Sequence, residues 1–229
     1  MLAGSLRRLT PLLVFIAAAG LCLHLPASYA KERTVAEGIP KQKSYPLTQK
    51  TNGIAGKLLI AASADKQQLV IQIVTDKGEA VISRQLDYGS ISPNAIKDSP
   101  DWFGYSVDRS AGFGSYNGVE TEFFRIRNGQ IEWLTAEDRK TGKTEKVHLM
   151  KSLKTAWKII NRPTSQVLAV SCRPDPKSNA SVNDEMDFIT IYARYYKKDT
   201  KWFRAGREEK GFLEFEDESD FPPESLFPR

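Results

Sequence analysis

Beyond its first thirty residues this chain of 229 has one cysteine, Cys172, and one histidine, His148. A disulfide within that part is excluded, and so is a zinc site of the Cys/His type, which needs three or four such ligands. Cys172 ends the apolar run "QVLAVSC", a context that suits a small buried side chain better than a reactive thiol. His148, in "TEKVHLMKSL", has no neighbours that mark a Ser-His or Cys-His pair. Long apolar runs are also lacking, since nothing past residue 30 approaches the roughly 20 apolar residues of a spanning helix. No cofactor motif is present, and none is expected: "AGFGSYNG" holds GxG without the rest of GxGxxG or a strand-to-helix context.

What is there begins with "MLAGSLRRLTPLLVFIAAAGLCLHLPASYA", which has the three parts of a secretory signal: Arg7 and Arg8, an apolar run from Leu12 to Leu25, then the small Ser28 and Ala30. Cleavage after Ala30 is expected, giving a periplasmic or extracellular protein with no transmembrane anchor. Cys22 follows Leu21 and so departs from the lipoprotein pattern, and Arg7-Arg8 lacks the fuller twin-arginine pattern. Removal takes two arginines and no acid, so the net charge falls from +5 to +3. Nucleic acid is not the partner such a balance suits. The remainder is long enough to bury on the order of 70% of its unfolded surface as one domain. The expected organisation is a signal at 1–30, a polar lead-in at 31–50, one β-rich domain at 51–213 and an acidic, proline-rich tail at 214–229.

The pattern along the chain is mostly β. "GKLLIAA" (56–62), "QLVIQIV" (68–74) and "VISRQL" (81–86) form a three-strand meander, with "TDKGEA" as a turn. A glycine- and proline-marked region spans Gly89 to Gly118, with "DWFGYSV" (101–107) as a strand inside it. "TEFFRIRNGQIEWLT" reads as a hairpin turning at Asn128-Gly129, a pair that accepts positive φ at both central positions. At 145–160, Val147, Met150, Leu153, Trp157 and Ile160 fall at helical spacing although the segment ends in β-branched residues; one amphipathic helix is the favoured reading. "QVLAVSC" and "FITIYARYY" are strands separated by the polar linker "RPDPKSNASVNDEMD". The fold class expected is mainly β: an antiparallel β-sandwich or open barrel built from hairpins.

Three short motifs, Ser63-Ala64-Asp65-Lys66, Ser92-Pro93-Asn94 and Lys140-Thr141-Gly142, resemble the S-x-x-K, S-x-N and K-T-G set of the serine penicillin-binding and β-lactamase families, in the right order. The resemblance implies an acylated Ser63 with Lys66 as its base. The surroundings point the other way, because that family starts a helix at the serine and puts K-T-G on a strand, whereas here the first motif sits at a strand turn and the last in the polar "EDRKTGKTEK". No catalytic role is therefore assigned to these residues.

The acidic run Glu214, Glu216, Asp217, Glu218 and Asp220 lacks EF-hand spacing and reads as a solvated tail. Beyond it, Phe221, Leu226 and Phe227 lie among three prolines and are expected to pack back on the sheet without forming a helix. Asn179-Ala180-Ser181 has the pattern of a glycosylation acceptor.

Aromatic and basic residues are densest in "YARYYKKDTKWFRAGREEKGF". In "FITIYARYY" one face carries Ile189, Ile191, Ala193 and Tyr195 and the other Phe188, Thr190, Tyr192, Arg194 and Tyr196, and the second face is expected to be the wet one. Across the turn at Asp199-Thr200, either Phe203 or Arg204 stands beside Tyr196, according to register. Cross-strand contacts alone justify this composition. The functional reading makes Tyr192, Arg194 and Tyr196, with Trp202 and Arg204, a platform for a sugar ring or an anionic envelope polymer.

The leading function is then a non-enzymatic, envelope-associated binding protein, its partner a glycan or another envelope protein. One alternative is a hydrolase of envelope glycans that works with carboxylates alone, with Asp98, Asp101, Asp108, Glu120 and Glu122 as first suspects. Another is an inhibitor or chaperone-like protein that binds an exported protein through a sheet edge. Two carboxylates facing one cleft favour the enzyme; an open aromatic face favours the binder.

Overall fold

Short β-branched runs broken by Gly, Pro and Asn turns build antiparallel sheet, and the residues that the structure describes are 60% strand and 6% helix. The computed structural model describes residues 43–63, 67–99, 101–111, 114–178 and 187–229. The signal segment, Lys66, Gly112 and the acceptor at 179–181 lie outside them.

The first sheet has the order β1 (Lys43–Leu47), β2 (Gly56–Ala62), β3 (Gln68–Thr75), β4 (Ala80–Asp87). It contains the expected meander, and β1 adds a strand within the stretch read as a polar lead-in. The second sheet holds β5 (Ser90–Ser92), β6 (Trp102–Asp108) and β7 (Val119–Arg127), with β8 (Gln130–Trp133) also on β7 and β11 (His148–Lys151) at its other edge. Asn128 and Gly129 have φ of 50° and 70°, as the Asn-Gly turn between β7 and β8 requires. The third sheet runs β10 (Thr144–Lys146), β9 (Thr135–Asp138), β15 (Lys201–Lys210), β14 (Phe188–Lys198), β13 (Ser165–Pro174), β12 (Thr155–Asn161). The pairing of β15 with β9 is parallel, so this sheet is mixed.

Alternation along β6 and β7 stacks the sheets. Phe103, Tyr105, Phe124 and Ile126 join Leu58, Ile71 and Ile73 of the first sheet in one core. Trp102 and Phe123, one residue out of phase, join Val167 and Trp202 of the third sheet in another. The second sheet is thus a middle layer buried on both faces, which gives a sandwich-like arrangement. Gly104 suits this position, because an added Cβ would stand 3.3 Å from the Ala95 methyl.

The far face of the third sheet is covered too. Phe215, Phe221, Leu226 and Phe227 of the tail pack on Leu168, Val170 and Tyr192. The tail does return to the sheet, although it makes two single 3₁₀ turns, at Glu218–Asp220 and Glu224–Leu226, where no helix was expected. Lys154, 5% exposed, anchors it: its Nζ donates to Glu214 Oε1 at 3.1 Å and lies 3.4 Å from the centre of the Phe212 ring.

Two expectations are corrected. Residues 145–160 are not a helix but parts of β10, β11 and β12, turning at Ser152–Thr155, where the two hydroxyls lie 2.9 Å apart. In β12, Trp157 and Ile159 pack on the middle layer while Ala156 and Ile160 pack under the tail. A strand partly covered on both faces has no clean apolar-polar alternation, so its apolar residues fall at helical spacing by coincidence. The second correction concerns β14. Thr190, Tyr192 and Arg194 are 3%, 5% and 8% exposed, so the face expected to be wet is largely closed by the tail.

Candidate ligand-binding groove

The register across the β14–β15 turn places Tyr196 opposite Phe203. Asp199 takes φ of 54° in that turn, a left-handed conformation that Asp tolerates better than most residues. The two rings are stacked at 28°, with centroids 6.0 Å apart, and both remain half-buried. They line a groove of about 620 Å³ on the outer face of the third sheet, beside the tail. Arg139, Arg162 and Lys198 line it with them and are exposed. Among the described residues, none of these three cations is in an ion pair. An aromatic surface ringed by unneutralised cations can stack a ring and attract an anion at once.

Arg194 also lines this groove, but its donors face inward. Nη1 donates to Gln166 Oε1 at 2.6 Å and to Glu224 Oε1 at 3.1 Å, and Nε donates to the Pro228 carbonyl at 2.6 Å. It ties β14 to the tail. Tyr192 lies under the tail, and burial raises the pKa of its hydroxyl.

Trp202 and Arg204 point to the opposite face of the sheet. Trp202 belongs to the core between the second and third sheets and lines a small pocket of about 230 Å³ with Trp102 and Trp133. Cations already lie over two of those rings: Arg125 is 4.9 Å from the Trp102 centroid and Lys146 is 3.9 Å from that of Trp133. Arg204 donates from Nη1 to Asp138 Oδ2 at 2.5 Å. Of the five expected platform residues, the groove brings together two, Arg194 and Tyr196. Sequence reasoning missed Arg139 and Arg162, which arrive from the turn after β9 and from the turn before β13; nothing in their local sequence links them to Tyr196.

The suspected carboxylates divide similarly. Asp98 accepts from the Ser165 backbone N–H, Asp101 lies 3.8 Å from Arg125, and Asp108 accepts from the Ser110 N–H at 2.8 Å. Each of these holds local structure. Glu120 and Glu122, two apart on one face of β7, share a cleft of about 370 Å³ with Asp87, Tyr105 and Arg109. Arg109 bridges Asp87 at 2.5 Å and Glu120 at 3.3 Å, and Glu122 holds Lys146 at 2.6 Å and His148 at 3.4 Å. The Tyr105 hydroxyl donates to the Asp87 carbonyl at 2.8 Å, and its pKa is pushed up to about 12 by burial and then by nearby Asp87.

Ser63 directly follows β2, and its Oγ accepts from the Gln68 N–H at 3.0 Å. Lys140 and Thr141 sit in a turn whose backbone N–H groups donate to Asp138 Oδ1 at 3.0 and 2.9 Å. Cys172 is buried, and its Sγ accepts from the Leu213 N–H at 3.4 Å. Among the described residues no group of three or more His, Cys, Asp and Glu side chains is placed to hold a metal, and no helix is long and apolar enough to cross a membrane. The chain matches no protein family, no curated protein and no solved structure.

Proposed function

We propose that this is an exported, non-enzymatic binding protein whose Tyr196–Phe203 groove takes an anionic, ring-bearing polymer of the cell envelope. The observation that carries this reading is the set of three unpaired cations, Arg139, Arg162 and Lys198, around the stacked pair. Stacking orients the ring, and the cations supply attraction that added salt weakens. A panel of anionic and neutral polysaccharides, tested by affinity electrophoresis, decides the matter. Retardation by an anionic member is expected, weakened at least tenfold in Tyr196→Thr/Phe203→Thr and by moderate salt. Equal retardation by neutral polymers, or binding indifferent to both changes, overturns it.

A second reading has its own observation, the meeting of Glu120 and Glu122 in one cleft with Asp87. A glycosidase of the common kind needs two carboxyl groups flanking the bond, one of them an acid kept protonated away from cations. Here Arg109 and Lys146 face the pair, which favours a structural ion network. New reducing ends released from a glycan by the wild type and not by Glu120→Gln or Glu122→Gln would reverse that preference.

A further inference from the structure

Between the second and third sheets the packing gives out beside a pair of small residues. On the inner face of the third sheet Ala169 is the cross-strand partner of Ala193. Stacked sheets keep a spacing of about 10 Å, so small side chains leave room between them. That room is a cavity of about 370 Å³. Its third-sheet wall is Ala169, Ile191 and Ala193, and Leu149 faces them from β11. Tyr116 and His148, both exposed, also line it and mark its opening to solvent. The cleft has the size of a ligand pocket, which runs from about 300 to 1,000 Å³.

The polar groups of the cavity are concentrated. Tyr195 and Arg204 are cross-strand partners, and Arg204 gives Nη1 to Asp138. A guanidinium has five N–H donors in a planar fork, so Arg204 keeps donors for an anionic group that enters beside Tyr195.

We propose that this cavity binds a single-chain amphiphile with an acidic head, a free fatty acid being the simplest. The aliphatic chain lies between Leu149 on one side and Ala169, Ile191 and Ala193 on the other, and the carboxylate meets Arg204. This site is separate from the Tyr196–Phe203 groove, which lies on the opposite face of the same sheet, and it stands without that reading.

The test is a fluorescence titration of the full chain with cis-parinaric acid, below its micelle concentration, beside the methyl ester of the same acid. Saturable binding of the acid is expected, at least tenfold weaker for the ester and at least tenfold weaker in Ala169→Leu and in Ala193→Leu, whose larger side chains fill the slot. The Tyr196→Thr/Phe203→Thr variant should bind the acid as the wild type does, which separates failure here from failure of the groove. Because a leucine variant can lose its fold, methyl NMR of the wild type supplies a second readout: the Ala169 and Ala193 methyl signals should shift as acid is added. Absence of saturable binding, equal affinity for the ester, or shifts that leave both alanines unmoved would overturn the proposal.

Discussion

The Tyr192 ring meets the Phe227 ring edge-on, at 89° and a centroid distance of 5.5 Å. This contact joins the middle of a long strand to the last turn of the chain, and it decides which face of "YARYY" is available to a ligand. Phe227 in turn stacks on Phe221 at 4°, so three aromatic rings close the outer face of the third sheet.

Phe227 is 3% exposed, so truncating it should behave as a core change. Phe227→Ala is expected to cost about 3 kcal/mol of stability, the low end for a buried Phe→Ala change. Urea unfolding measures it, and a loss under about 1 kcal/mol would show that the tail is not part of the core.

Tyr192 and Tyr196 share a strand face but should respond differently. Tyr192→Thr removes a buried ring and should lower stability by about 2 kcal/mol with no direct effect on polymer binding. Tyr196→Thr should cost under about 1 kcal/mol, the worth of one cross-strand pair, and weaken binding. Paired melting and binding curves check this; identical behaviour of the two variants would remove the distinction.

Lys154 and Glu214 hold the tail from the other end. Removing only the carboxylate leaves a cation in a nearly closed site, so Glu214→Gln should destabilise by about 1 kcal/mol, moderated because Glu214 is 40% exposed. Lys154→Met combined with Glu214→Gln should recover part of the loss. A double-mutant cycle with no coupling would count against the anchor.

Acid should loosen the hairpins on either side of β9. The pKa of Asp138 lies below the ordinary 3.8: burial pulls it up, but the Thr141 N–H and the Arg204 guanidinium outweigh that. Glu132 lies below 4.5 because Arg125 donates to it. A depressed folded pKa gives stability that is present above the unfolded value and lost as pH falls through the folded one. Stability should therefore decline on acidification below those ordinary values, and decline less steeply in Asp138→Asn, which starts lower at neutral pH. Urea midpoints against pH test this, and parallel curves would refute it.

Ser63 should not be acylated. Its Oγ, just past the end of β2, already accepts from the Gln68 N–H, so a fluorescent penicillin is expected to leave no covalent label. Labelling of the wild type that vanishes in Ser63→Ala would restore the motif reading.

Where local rules act alone, the sequence determined the outcome. Asn128-Gly129 makes its turn because few other pairs accept positive φ twice, and "GKLLIAA" and "QLVIQIV" pair because β-branched runs a short turn apart have little else to do. The Tyr196–Phe203 pairing was one of two registers open to the sequence, and the structure has the one in which both aromatics share a face. Tertiary structure decided the rest. In β12 and β14 both faces are covered, so hydrophobic period no longer reports secondary structure or exposure, and only the packing of Phe215, Phe221 and Phe227 shows which side faces water. Arg139 and Arg162 reach Tyr196 through strand order in the third sheet, and Glu120 and Glu122 meet Asp87 where the first sheet and the second share a cleft. Such meetings join residues distant in the chain, and a chain read one window at a time has no term for them.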